Sequence, residues 1–302
     1  MTRSSEQVSI VDASPQVRDE GFSLISNAKL IEIYSAMLKC RMIEERAGLL
    51  CKQGRLPANL KASIGQEASA AAFVIDLLPG DTLCPTANDI SPAFVKGLSL
   101  EEMFRAIVEG SLGSRDRKIL PPSPSITVRL KSVSQEARTI KTANQGAVMV
   151  AFFANEIEFD DAWRETVSEA GNERLPIIFV CYANAGHHTA EEAMIFGVPA
   201  IVVDGSDAVA LYRVASEAMN RARQGRGPTL VECITLLSDD PEVNASNKNC
   251  IYTNTEQSLA LDPIATMEKY LSFKGLFDKQ LCRQITSDFA SELDLATRFL
   301  NH

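Results

Sequence analysis

The sequence predicts an α/β fold, a parallel sheet with helices on both faces. Three observations lead there. Four short apolar runs, 147–153, 176–182, 200–204 and 228–235, stand close together in the middle of the chain. They are nearly continuous in hydrophobicity, which marks strands buried on both faces; a strand with one wet face alternates apolar with polar. Segments of helical period separate them, and strand and helix in alternation make parallel crossovers. With 302 residues, 45% hydrophobic and 23% charged, the chain is long enough to bury a large core.

Each element has its own warrant. Residues 1–24 are polar, contain Pro15, show no sustained period and read as a mobile leader, before a single domain over 25–302. Over 27–53, Leu30, Ile33, Tyr34, Met37, Leu38, Met42 and Ile43 recur at intervals of three and four, predicting one long helix that stops near Gly54. Glu44, Glu45 and Arg46 are read as its solvated face. Ser63 followed by Gln66 reads as a capping box for a helix through the small residues 68–78, which Pro79-Gly80-Asp81 closes. The long helix and the small-residue run carry more close-packing surface than one domain should need, so they are expected to form an oligomer interface. A short strand at 82–85 and a helix at 101–109 follow. Helices are then expected at 160–171 and 207–223 between the four strands, and again over 262–300, where Leu271, Leu276, Phe277, Leu281 and Ile285 form an apolar face. In parallel sheets ligands sit at the carboxyl ends of the strands. Chemistry is therefore expected just after Phe153, Tyr182, Val203 and Ile234.

Composition excludes several classes. The net charge of −9, with no basic stripe, argues against nucleic acid as a partner. Neither a signal core nor an apolar run of membrane-spanning length is present, so the chain is expected to be cytoplasmic with no membrane partner. Seven scattered cysteines without a Cys-x-x-Cys, and only three histidines, suggest neither zinc nor a disulfide framework.

Several segments then fall in the order of one family. They are Met37-Leu38-Lys39-Cys40-Arg41-Met42-Ile43-Glu44-Glu45, Gly65-Gln66-Glu67-Ala68, Leu175 through Cys181, Val203-Asp204-Gly205-Ser206-Asp207, Gly227 through Glu232, and Asp239-Asp240-Pro241. Together with the tail from Asp262-Pro263-Ile264 to Lys274-Gly275-Leu276 they resemble the alpha subunit of thiamine-diphosphate-dependent 2-oxo acid dehydrogenases, over about residues 30–300. The resemblance implies a thiamine-diphosphate-binding fold and a beta-subunit partner, with cofactor and magnesium lying between the chains and the partner supplying the activating glutamate.

The family's metal motif is Gly-Asp-Gly, with Asn-Asn some tens of residues later. Here the first reads Ala154-Asn155-Glu156 and the second Ala183-Asn184. The resemblance therefore assigns Asn184 as the metal-binding amide and Asn155 and Glu156 as the positions equivalent to cofactor ligands. A neutral amide is a weaker magnesium ligand than a carboxylate, and Cβ atoms at 154 and 156 crowd a diphosphate that glycine would admit. Glu156, one position later, is the candidate to supply the missing charge. Elsewhere the family's Tyr-Arg and following His correspond to Ala87, Asn88 and Ile90, a further His corresponds to Lys61, and the loop before Asp239 has no His. General acid-base work favours a group with a tunable proton, usually His, so no catalytic residue is assigned.

Against these stand plainer readings. His187 and His188 read as exposed loop residues, Trp163 as core, Cys181 as buried, Glu67 as a helix cap, and Asp204 and Asp207 as turn formers. Asn155 and Asn184, by their plain reading, bond loop backbone. Three functions stay open: a non-catalytic alpha-like subunit with no bound cofactor, paired with a beta chain or itself; a working oxidoreductase subunit that uses magnesium-thiamine diphosphate and a beta partner to decarboxylate a 2-oxo acid or cleave acetoin; and an adaptor for another small ligand.

Overall fold

In the computed structural model, the residues described are 25–301 apart from 58, 59, 61, 62, 87, 88, 111, 124, 144, 155–160, 184–188 and 236–261. The expected leader, 1–24, lies outside them.

Five strands, β1 (Thr82–Cys84), β2 (Met149–Phe153), β3 (Ile177–Ala183), β4 (Ala200–Asp204) and β5 (Thr229–Ile234), pair in the order β1-β2-β3-β5-β4, every pairing parallel. Their side chains alternate between two cores. Phe152, Val180, Tyr182 and Cys233 enter the larger core with α1 (Asn27–Lys52), α2 (Glu67–Val74), α3 (Ser91–Val95), α4 (Leu100–Glu109), α8 (Ala208–Arg223), α9 (Pro263–Phe273) and α10 (Lys279–Ala296). Phe153, Phe179, Cys181 and Leu230 enter the other core, with α5 (Ile126–Ala143), α6 (Asp161–Asn172) and α7 (Thr189–Ile195). The sheet is covered on both faces, as its unbroken apolar strands require. Trp163 anchors the second core, packed edge-on against Phe153 at 5.5 Å and Phe179 at 5.7 Å.

Helix α1 starts where Ser26 accepts a bond from Lys29 N at 3.2 Å and gives way to Gly54, whose φ of +70° suits a residue without Cβ. The placement of Glu44 on a solvated face is corrected: it is 1% exposed. The helix is packed by α2, α3, α9 and α10, on more sides than one apolar stripe would suggest. The small-residue run, one of the two surfaces expected at an oligomer interface, is packed inside the chain. All eight residues of α2 are buried, packed on α1 and α8.

The expected capping box at Ser63 does not form. Gln66 caps α2 without a side-chain bond, because Ser63 N is already given to Glu44 Oε2 at 3.2 Å and Glu67 turns back onto Gly65 N. A capping box occurs at α4 instead, between Ser99 and Glu102. Helices α3, α5 and α7 were not anticipated. Helix α5 is legible in retrospect, since Leu130, Val133, Ala137 and Ile140 recur at three and four. Among the described residues no helix is long and apolar enough to cross a membrane.

Candidate functional site at the carboxyl ends of the strands

Because all five strands run the same way, their C-terminal ends share one edge of the sheet. Phe153 is paired with Cys181 and Ala183 with Ile234, so β2, β3 and β5 finish side by side. The residues assigned by resemblance, Asn155, Glu156 and Asn184, lie outside the described residues, as do Lys61, Ala87, Asn88, His187, His188 and Asp239-Asp240-Pro241. What can be built at this edge is therefore the shell that supports it.

Its main feature is a buried carboxyl pair. Asp89, fully buried, follows β1 and accepts a bond from the hydroxyl of Tyr182, near the end of β3, at 3.0 Å; its other oxygen, Oδ1, has no partner. Glu44 reaches the same region from α1, accepting from Ser91 Oγ at 2.7 Å and from Ser63 N. Burial, and then the neighbouring Asp89, push Glu44 up to about 8. Asp89 rises to about 7, again through burial first. An enclosed carboxylate without a cation loses its hydration and takes up a proton instead. The Tyr182 hydroxyl is driven well above its ordinary range by burial and by Asp89.

A cation does stand nearby, but it is committed elsewhere. Arg41, also on α1, donates through Nε to Glu67 at 2.6 Å and through Nη2 to Asp262 at 2.7 Å. Glu67 also accepts from Gly65 N at 3.0 and 3.1 Å, so the Gly65-Gln66-Glu67 turn, α1 and the start of α9 are tied at one point. Expected as a cap, Glu67 instead links three elements. Arg129, in the first turn of α5, is a second cation near this edge, and it is buried. It donates to the Phe152 and Pro85 carbonyls and lies over the Phe153 ring.

The thiols do not offer a nucleophile here. Burial pushes Cys40 and Cys181 well above their ordinary value, raises Cys84 and holds Cys233 at about 12, and the thiolate is the reactive form. Asp204 and Asp207 behave as turn formers: Asp204 Oδ1 accepts from Ser206 N and Oγ, and Asp207 caps α8. Gly205 is required there, since a Cβ would come within 2.6 Å of Thr235 Cγ2 and 2.8 Å of Ile234 O.

Glu44, Asp89 and Arg129 are functional-edge residues that sequence reasoning did not single out. Glu44 gave a signal, standing seven and four residues after the apolar positions Met37 and Cys40 and hence on the buried face. Arg129 gave a signal of the same kind, standing four and eight residues before the apolar Val133 and Ala137 and hence on the buried face of α5.

Comparison with known proteins agrees with the fold and the order of elements. Residues 34–299 match the family described as dehydrogenase E1 component. The chain is 26% identical to the pyruvate dehydrogenase E1 component subunit alpha of Staphylococcus aureus and 27% identical to the protein of that name from Staphylococcus epidermidis, in each case over 97% of this chain and 84% of the relative. A match across almost the whole sheet and its helices shows that the chain belongs to the dehydrogenase E1 component family and is alpha-subunit-like within it.

Proposed function

We propose that this chain is a non-catalytic, alpha-like subunit that keeps the family framework and pairs with a beta chain, or with a second copy of itself, without holding thiamine diphosphate. The observation that carries the reading is the sequence Ala154-Asn155-Glu156 at the end of β2, where the family has Gly-Asp-Gly. Supporting it, Ala154 packs its side chain on the larger core where glycine would leave room. The buried carboxyls of the same edge take their bonds from Ser63, Ser91 and Tyr182. The residues supplied do not fit magnesium-thiamine diphosphate, and no catalytic step is assigned.

The diphosphate would lose its metal carboxylate and its arginine. Each charge-assisted hydrogen bond lost removes about 1.5 to 3 kcal/mol, so two or three of them weaken binding at least about a hundredfold. Calorimetric titration of magnesium-thiamine diphosphate into the chain, alone and with a co-expressed beta subunit, tests this. No heat of binding is expected in either arm. Micromolar binding, or 2-oxo acid turnover restored by Ala154→Gly, Asn155→Asp and Glu156→Gly together, would favour the working-subunit reading instead. Sedimentation of the chain with and without the beta subunit tests the pairing; a clean monomer that ignores the beta chain counts against it.

A further inference from the structure

Arg129 is a buried charge that the described residues leave partly unanswered. The residue is 3% exposed, and its guanidinium Cζ lies 5.0 Å from the centroid of the Phe153 ring. Nη2 donates to Phe152 O and, at a long 3.4 Å, to Pro85 O, while Nε has no acceptor. The other arginines that reach into the protein here meet carboxylates: Arg41 meets Glu67 and Asp262, and Arg223 meets Asp81. Arg129 forms no ion pair among the described residues.

That arrangement is costly as it stands. Arginine does not give up its proton inside a protein, and a desolvated cation without a counter-charge is among the most unfavourable things a core can hold. The residue also sits in the first turn of α5, where the helix dipole is positive and disfavours a second positive charge. Both effects reverse sign for an anion. Nε, without an acceptor, and Nη2, whose second contact is the long one to Pro85 O, belong to a planar fork that matches two oxygens of a phosphate or carboxylate. The fork stands where β1 and β2 end, the edge at which parallel sheets take their ligands.

We propose that Arg129 anchors a metal-independent binding position for a small oxyanion, a phosphate or a carboxylate, at the C-terminal ends of β1 and β2. The anion engages Nε and replaces the long contact from Nη2 to Pro85 O. The position is independent of the non-catalytic reading, since it needs neither thiamine nor magnesium.

Thermal unfolding of the full chain in EDTA tests it, with inorganic phosphate or acetate exchanged for chloride at constant ionic strength. The midpoint should rise saturably with millimolar phosphate or acetate. Arg129→Gln should abolish the rise, and Arg129→Lys, which keeps the charge and loses the fork, should weaken the apparent affinity at least about tenfold. Lys131→Gln, an exposed cation on the same helix, should leave it unchanged. A response to acetate alone identifies a carboxylate ligand, and a response to phosphate alone a phosphate. The proposal is overturned if the wild-type midpoint shows no saturable rise with either anion, or if Arg129→Gln retains it, which would mark a general salting effect. Should Arg129→Gln not fold, the wild-type response and Arg129→Lys decide the matter.

Discussion

Stability should fall as pH rises from about 5 to about 8, and Glu44 should be a main reason. In the unfolded chain a glutamate ionises near 4.5, whereas folding lifts Glu44 to about 8. The folded state therefore binds a proton that the unfolded state releases, and by linkage the free energy of unfolding declines with pH across that interval. The contribution is fully present below about 4.5 and gone once pH has passed the folded ionisation near 8. Each pH unit between the two ionisations is worth about 1.4 kcal/mol, so between pH 5.5 and 8.5 Glu44 alone removes on the order of 3 kcal/mol. Asp89, held up to about 7 by the same burial, adds to the lower part of the interval. Against a typical total of about 5 to 15 kcal/mol this is a large effect. Urea unfolding followed by the fluorescence of Trp163, the single tryptophan and 1% exposed, reports it directly. Glu44→Gln keeps an oxygen for Ser63 N and an amide for Ser91 Oγ while removing the titration, so its curve should be flatter by that amount and its protein the more stable at pH 8.5. A wild-type stability that is level or rising over pH 5.5 to 8.5, or a Glu44→Gln slope equal to wild type, would refute the reasoning.

Three further outcomes follow from the same coordinates. Tyr182→Phe removes the hydroxyl that donates to the Asp89 carboxyl, whose Oδ1 is already without a partner, and should cost about 1 to 3 kcal/mol in urea unfolding at pH 6. Arg223→Met strips a two-pronged partner at 2.8 and 2.5 Å from the fully buried Asp81 and should cost about 3 to 5 kcal/mol, whereas Arg138→Ala, in an exposed pair with Glu169 and Glu173, should cost under about 1 kcal/mol in the same assay. Cys40, Cys84, Cys181 and Cys233 should stay unreactive to a thiol reagent at pH 8 until denaturant is added, their burial having raised each thiol; rapid labelling of any of them in native protein would show the core to be open.

The strands were legible because hydrophobicity along the chain is itself the cause of their burial. The run 200–204 is the strand β4 residue for residue, and 147–153 and 176–182 differ from β2 and β3 by one or two positions at their ends. Helix α5 escaped because its sequence, Ile126–Ala143, is rich in Ser, Thr, Lys and Arg. Its four apolar positions carry the whole signal. The capping box was misplaced for a different reason: Ser63 and Gln66 have the right spacing, but Ser63 N is taken by a carboxylate 19 residues earlier, and a local pattern cannot see a competing long-range bond.

The same limit explains the candidate site. Glu44 and Arg46 are two residues apart on one helix and both polar, yet one is 1% exposed beside Asp89 and the other reaches the surface to pair with Asp294 on α10. Nothing in their residue types separates them; the turn carrying Ser63 and the segment carrying Ser91, folding over one face of α1, do. Asp89 and Tyr182 are 93 residues apart and meet only because β1 and β3 end on the same edge of a parallel sheet. Asn155 and Asn184 lie outside the described residues. Their assignment came from resemblance to a family and not from periodicity, since ligand positions in such sheets lie in the segments after the strands, where no hydrophobic repeat constrains the residue. On the reading proposed above, the chain keeps the periodic signals of its family while its sequence departs from the family's metal motif from Ala154, the last described residue before Asn155.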